Sequence, residues 1–353
     1  MPTRTSVRDH REAYAGARLV TGAASMTVRP LLDGPRRDAR VLASFPLACY
    51  LELKAPAEPC VLALVTADAV RLPNALVVPD TTPLARIRVG MLAQVGTGVV
   101  RAGPMLAGAA RWWDPAPALP PVTPAHLEAS LAHLRALCAA SDRRPGLTDA
   151  DGPAALAAAC ATGSLADAVE RAERVVGLGP GLTPSGDDVL CGLLLSLRLL
   201  GSALSPANPR DEKPTTPPEA ATRSPHVPAQ AGGRRAVVGP PVERRPGHAD
   251  VAAGGAAAVR LADWIGAAVT CDATTRTTAL SATLLHCAAA GQASGEVASV
   301  LRAMTMPRAG TALTVAVRRL LATGHTSGAD LAWGLAAGGH ALLTLTRGTG
   351  QRA

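Results

Sequence analysis

Residues able to do chemistry are concentrated in Gly179-Pro180-Gly181-Leu182-Thr183-Pro184-Ser185-Gly186-Asp187-Asp188. Glycines let backbone amides turn toward a ligand, prolines stiffen the loop, and a helix starting at its end directs a positive pole at whatever binds there. That combination predicts a site for a small anion. Thr183 and Ser185 add hydroxyl donors. Asp187 and Asp188 would repel an anion, so they either take a cation, face a substrate amide or act as acid and base.

A shorter copy lies at Gly324-His325-Thr326-Ser327-Gly328-Ala329-Asp330. Both segments read Ser-Gly-x-Asp-x-x-x-Gly, with Ser185, Gly186, Asp188 and Gly192 in one and Ser327, Gly328, Asp330 and Gly334 in the other. Each Asp precedes its Gly by one helical turn, which puts both on one face and predicts two helices crossing where a side chain is missing. The same Ser-x-x-Asp spacing is also that of a capping box, in which the serine merely caps its own helix. His325 is open to three roles: acid/base, anion donor, or a residue with satisfied ring nitrogens. In Thr274-Thr275-Arg276-Thr277-Thr278-Ala279-Leu280-Ser281, Arg276 could hold a carboxylate or phosphate with Thr278 beside it, or be a solvated arginine among helix caps.

Several classes are disfavoured. The loop lacks the Gly-Lys-Ser/Thr ending of a nucleotide phosphate loop and follows no predicted strand, and no G-x-S-x-G elbow is present. The net charge of +8 comes almost wholly from arginines spread along the chain, with Lys54 and Lys213 the only lysines, and aromatic residues are 2% of the 353. Nucleic-acid binding through basic stripes and base stacking is therefore not expected. The seven scattered cysteines form no C-x-x-C pair, and the histidines show no metal-ligand spacing, so no metal centre is expected from them. The apolar windows 189–201 and 251–269 are interrupted by Arg198, Arg260 and Asp263, which argues against a membrane span. No signal peptide is expected behind Arg4, Arg8, Asp9, Arg11 and Glu12, and the cytoplasm is the expected location.

The elements that must position these residues follow from patterning. Short Val/Leu-rich runs bounded by turn residues, 60–65, 75–78 and 87–92, predict a β-rich N-terminal domain over 17–115, a barrel or a sandwich. Residues 1–16 read as a tail. Trp112-Trp113-Asp114-Pro115 and the proline-rich stretch after it mark the passage to a helical domain, 120–201 and 251–346. Helices are expected at 126–140, 165–176, 187–200, 252–269, 278–290, 296–304, 311–322 and 329–345. Residues 202–250, rich in Pro, Arg, Gly and Thr without periodicity, have the composition of a disordered insert. The expected class is α+β.

The segments 177–188, 276–285 and 324–331, with weaker similarity at 60–79 and 113–115, resemble the signatures of the family that includes the AllH subunit of oxamate carbamoyltransferase. The resemblance implies a subunit of a multi-subunit enzyme of purine (allantoin) degradation, converting oxalurate and phosphate to oxamate and carbamoyl phosphate. It fits ligands bearing carboxylate, phosphate and amide groups. On this reading the amides of Gly179, Gly181, Gly186 and Gly328, with Thr183, Ser185, Thr278, Thr326 and Ser327, bind the anion and Arg276 neutralises it. Asp187, Asp188 and Asp330 orient the amide or a Mg2+ ion, and His325 moves a proton. The alternative is a non-catalytic scaffold or sensor that binds the same anion for its partner subunits.

Overall fold

The computed structural model describes residues 19–54, 58–79, 84–147, 151–206 and 248–348. The tail expected at 1–16 and most of the insert expected at 202–250 lie outside the described residues.

The protein is α+β. Its N-terminal strands are β1 (Leu19–Ser25), β2 (Arg37–Ser44), β3 (Ala48–Leu53), β4 (Val61–Thr66), β5 (Ala75–Val78), β6 (Leu92–Gly96), β7 (Val99–Ala102) and β8 (Met105–Trp113), with a short helix, α1 (Arg29–Asp33), after β1. They close into a barrel in the order β1-β5-β4-β3-β2-β6-β7-β8. The seam is the parallel pairing of β1 with β8, in which Leu19 faces Leu106 and Ser25 faces Trp113. Between barrel and sandwich, the barrel is what forms. Strand β2 alternates exposed Asp38 and Arg40 with buried Ala39 and Val41, the signature of a strand with one wet face. Strand β4 is buried at every position: Leu62 and Leu64 face the barrel interior, and Ala63 and Val65 pack in a second cluster with Ala48 and Ala75. Leu51, Leu62, Leu64, Leu76, Val95 and Met105 fill the interior.

The run 87–92 does not form the strand its Val/Leu content predicts. Ile87 ends a tight turn, its amide bonded to the Leu84 carbonyl at 3.0 Å, and its own carbonyl accepts from Ser44 Oγ at 2.8 Å. Gly90, at φ +84°, then turns the chain into β6.

Among the described residues eleven helices follow: α2 (Pro124–Ala139), α3 (Asp151–Thr162), α4 (Leu165–Val175), α5 (Ser185–Leu195), α6 (Gly201–Ala203), α7 (His248–Cys271), α8 (Ala273–Arg276), α9 (Ala279–Ala289), α10 (Gly295–Thr305), α11 (Gly310–Leu321) and α12 (Ser327–Gly348). A π-helical turn, Ser196–Leu200, joins α5 to α6. Helix α3 was not among the expected ones: its Ala-rich sequence favours a helix without marking an apolar face.

Helices α5 and α12 form the centre of this region. They cross at Gly192 and Gly334, where a Cβ on Gly192 would lie 2.3 Å from the Leu331 carbonyl oxygen and one on Gly334 2.2 Å from that of Val189. No side chain fits there. Helix α9 fastens the barrel to these helices: Thr283 Oγ1 accepts from the Val61 amide at 3.1 Å, and the Cys60 thiol donates to the Ala279 carbonyl at 3.3 Å.

Because backbone cannot retreat as a flexible side chain can, Gly192→Ala or Gly334→Ala should each cost about 2–4 kcal/mol, read as a shifted denaturant midpoint. A midpoint equal to that of the unmodified protein would show the crossing to be looser than described.

Candidate functional site

The two Ser-Gly-x-Asp segments meet. Thr183 Oγ1 lies 3.1 Å from Ser327 Oγ, and Ser185 Oγ lies 3.4 Å from Thr326 Oγ1. The N-cap of α5 is Pro184, and no side chain caps that end, so Ser185 is the first helical residue and its hydroxyl points across to the other segment. The capping-box reading does not describe Ser185.

The duplication in sequence is a duplication in structure. In each copy a helix ends, a glycine turns the loop, and the next helix begins against the end of the one before it. A Cβ on Gly186 would lie 2.1 Å from the Val175 carbonyl oxygen at the end of α4, and one on Gly328 would lie 1.9 Å from that of Leu320 in the last turn of α11. Gly179, at φ +99°, sits against Ser185 as Gly324, at φ +61°, sits against Ser327.

This packing corrects part of the expected anion site. The Gly186 amide donates to the Leu178 carbonyl at 2.9 Å and the Gly328 amide to the Thr323 carbonyl at 3.1 Å, so neither is directed at a ligand. Arg276 is likewise engaged: its guanidinium donates to the Glu173 carbonyl near the end of α4 and lies 3.5 Å from Asp272 Oδ1. Asp187 is buried and braces the loop. Its Oδ1 accepts from the Gly177 amide at 2.8 Å, and its Oδ2 accepts from Thr277 Oγ1. Thr278 caps α9 and donates its hydroxyl to the Leu182 carbonyl. Gly179 and Gly181 stand exposed at the loop apex, the latter at φ +108° with open space about it.

What remains at the centre is Asp188 and Asp330. They are 5% and 0% exposed, and the Oδ2 atom of each has no hydrogen-bond partner among the described residues. The two copies exchange donors. Burial pushes the Asp188 carboxyl well above the usual carboxylate range; hydrogen bonds from Ser327 and Thr183 oppose this, and the charges of Asp330 and Asp187 add to it. Burial also raises Asp330, against hydrogen bonds from Ser185, the Gly146 amide and Thr326. Thus the serine of each helix serves the aspartate of the other. Burial first, and the Asp330 and Asp187 charges after it, favour the protonated form of Asp188.

Two contributors were not singled out from sequence. The Gly146 amide donates to Asp330 Oδ1 at 2.8 Å, and a Cβ at Gly146 would lie 2.2 Å from Ser185 Oγ, so the 141–147 loop closes over the pair. Arg143 of that loop donates Nη1 to the carbonyl of exposed His325 at 3.3 Å. Pro145-Gly146 is a turn signal, but nothing in its spacing points to a segment so distant in the chain.

Among the described residues no group of three or more His, Cys, Asp or Glu side chains is placed to hold a metal ion, and no helix is long and apolar enough to cross a membrane. A Mg2+ ion would have only the Asp188 and Asp330 carboxyls and neighbouring hydroxyls as ligands.

Fold and site together define an α+β protein whose helical region carries a paired helix-start centre with two buried acids. That region matches the family model described as oxamate carbamoyltransferase subunit AllH, over residues 175–222 and 249–339. The match takes in α5, α9 and the start of α12, and so both copies of the motif; the barrel lies outside it. The description names a subunit of a carbamoyltransferase, to which this region of the chain is similar. No curated protein and no solved structure matches the chain.

The raised Asp188 carboxyl fixes the sign of a pH effect. Its folded-state value lies above its unfolded one, so its contribution to stability is full at low pH and is lost as pH rises through the folded value. Asp188→Asn should therefore gain on the unmodified protein with rising pH, by up to about 1.4 kcal/mol per pH unit over the affected range. Melting curves from about pH 5 to about pH 8 check this, and parallel profiles would contradict it.

Proposed function

We propose that the chain is a cytoplasmic subunit of a carbamoyltransferase-type enzyme acting on a small carboxylate/carbamoyl compound, with oxalurate and phosphate converted to oxamate and carbamoyl phosphate. The reading is carried by the Asp188–Asp330 pair, whose two buried Oδ2 atoms lack partners while hydroxyls from both helix starts surround them. A substrate carbamoyl group supplies what such a pair lacks, since its NH2 donates and its carbonyl accepts. The family match and the seven free cysteines, which suit a reducing compartment, support the same reading.

In this mechanism a phosphate oxygen attacks the carbamoyl carbon of oxalurate. The bond from that carbon to the inner nitrogen breaks, and the nitrogen leaves in oxamate with a proton that protonated Asp188 supplies. Asp330 accepts from the carbamoyl NH2 and fixes its plane. Thr183, Ser185, Thr326 and Ser327 hold the oxygen on which charge develops, and the exposed loop from Gly179 to Gly181 is where phosphate enters. Asp187, Arg276 and Thr278 position the loop, and His325 stands at the rim. Nucleic acid and membranes have no part in this reaction.

Assay of the chain assembled with its partner subunits tests the reading. Asp330→Asn and Ser327→Ala should each lower kcat by about 100-fold or more with melting temperatures close to that of the unmodified protein. Unchanged turnover in both, with anion binding retained, would favour the non-catalytic scaffold instead.

A further inference from the structure

The oxygens that answer a substrate are out of its reach while the centre stays shut. Asp188 Oδ2 and Asp330 Oδ2 are buried, without a hydrogen-bond partner among the described residues. The crossing at Gly192 and Gly334 closes one side of the pair. Over the hydroxyls of both helix starts lies Gly146: a Cβ there would be 2.2 Å from Ser185 Oγ and 3.4 Å from Thr326 Oγ1, and its amide is bonded to Asp330 Oδ1 at 2.8 Å. Access to the pair requires something to move, and the cover directly over Asp330 is the 141–147 loop.

That loop is lightly held. None of residues 141–147 is buried, and neither Pro145 nor Leu147 joins the helical core, to which α5 and α12 give Leu190, Leu193, Leu335 and Leu342. Among the described residues two hydrogen bonds tie the loop to the helix starts: Gly146 to Asp330, and Arg143 Nη1 to the His325 carbonyl at 3.3 Å. Both residues of the second bond are exposed. At the base of the loop Ser141, Asp142 and Arg143 line a cavity of about 350 Å³ beside the ends of α2 and α11, so packing does not fix it there either. A segment with few buried apolar contacts and exposed hydrogen bonds opens far below the cost of global unfolding.

We propose that the 141–147 loop is a lid that opens to admit substrate to Asp330 and closes over it, with Arg143 on the His325 carbonyl as its latch. What is admitted rests on the function proposed above; the opening itself does not depend on that chemistry. The lid gives position 146 a reason to be glycine, since a side chain there would meet Ser185 before the loop could seat. It also gives His325 a part that needs no proton transfer, because its backbone carbonyl, next to Thr326, is what the latch holds. Closed, the lid keeps water from the acids, and its amide occupies Oδ1 of Asp330 while leaving Oδ2 for the bound group.

Two measurements on the full chain test the lid: hydrogen–deuterium exchange over 141–147, and labelling of Asp330 by a water-soluble carbodiimide, located by mass spectrometry. The Gly146 amide should exchange faster than the amides of α5 and α12. Arg143→Ala should speed both that exchange and the labelling of Asp330 about tenfold while the melting temperature holds. Gly146→Ala, whose methyl group meets Ser185, should raise the labelling of Asp330 as well. Exchange at Gly146 as slow as in α5 and α12 would overturn the lid, as would labelling of Asp330 that neither variant alters. Neither readout needs turnover, so failure of the assembled enzyme to convert oxalurate would count against the proposed function alone.

Discussion

The approach of α5 to α12 is the constraint from which the rest of the centre follows. Gly192 and Gly334 each lie against backbone of the opposite helix, so the helices touch main chain to main chain about two turns beyond their starts. At that separation the first turns have nowhere else to go. Ser185 and Thr326, and Thr183 and Ser327, come within hydrogen-bond reach because the crossing sets the distance between the two ends.

The same constraint creates an electrostatic problem and shapes its solution. Asp188 and Asp330 lie on the faces that meet, and burying two carboxylates unpaired would cost several kcal/mol each. Hydroxyls donated across the crossing, and the Gly146 amide, lower that cost without an arginine or lysine. Hydroxyls satisfy only part of each carboxyl and keep its remaining oxygen in a dry, preorganised position.

Much of this was legible in the sequence because it depends on spacing. The Asp-x-x-x-Gly interval in both copies fixes a shared helical face, and the repeated Ser-Gly fixes where each helix begins. The β-rich first part and the helices with a periodic apolar face were legible for the same reason. What escaped depends on partners distant along the chain. Gly186 and Gly328 resemble ligand-facing glycines, and only the ends of the preceding helices show that their amides are spoken for. Arg276 looked available because the carbonyl it binds belongs to Glu173, more than a hundred residues away in sequence. Ile87 lies in an apolar run like that of β4, yet its carbonyl is claimed by Ser44 and a turn results. Gly146 carried no mark of its role, since what it must avoid is the side chain of Ser185.

Helix α9 connects regions that would otherwise be separate. At its first turn Thr278 holds the Leu182 carbonyl and neighbouring Thr277 holds Asp187; along its flank Thr283 and the Ala279 carbonyl are bonded to the barrel at Val61 and Cys60. A rod bonded at both places ties the barrel wall at Val61 and Cys60 to the 179–188 loop. Through one helix, the barrel wall and the rim of the paired helix starts are held in a single hydrogen-bonded frame.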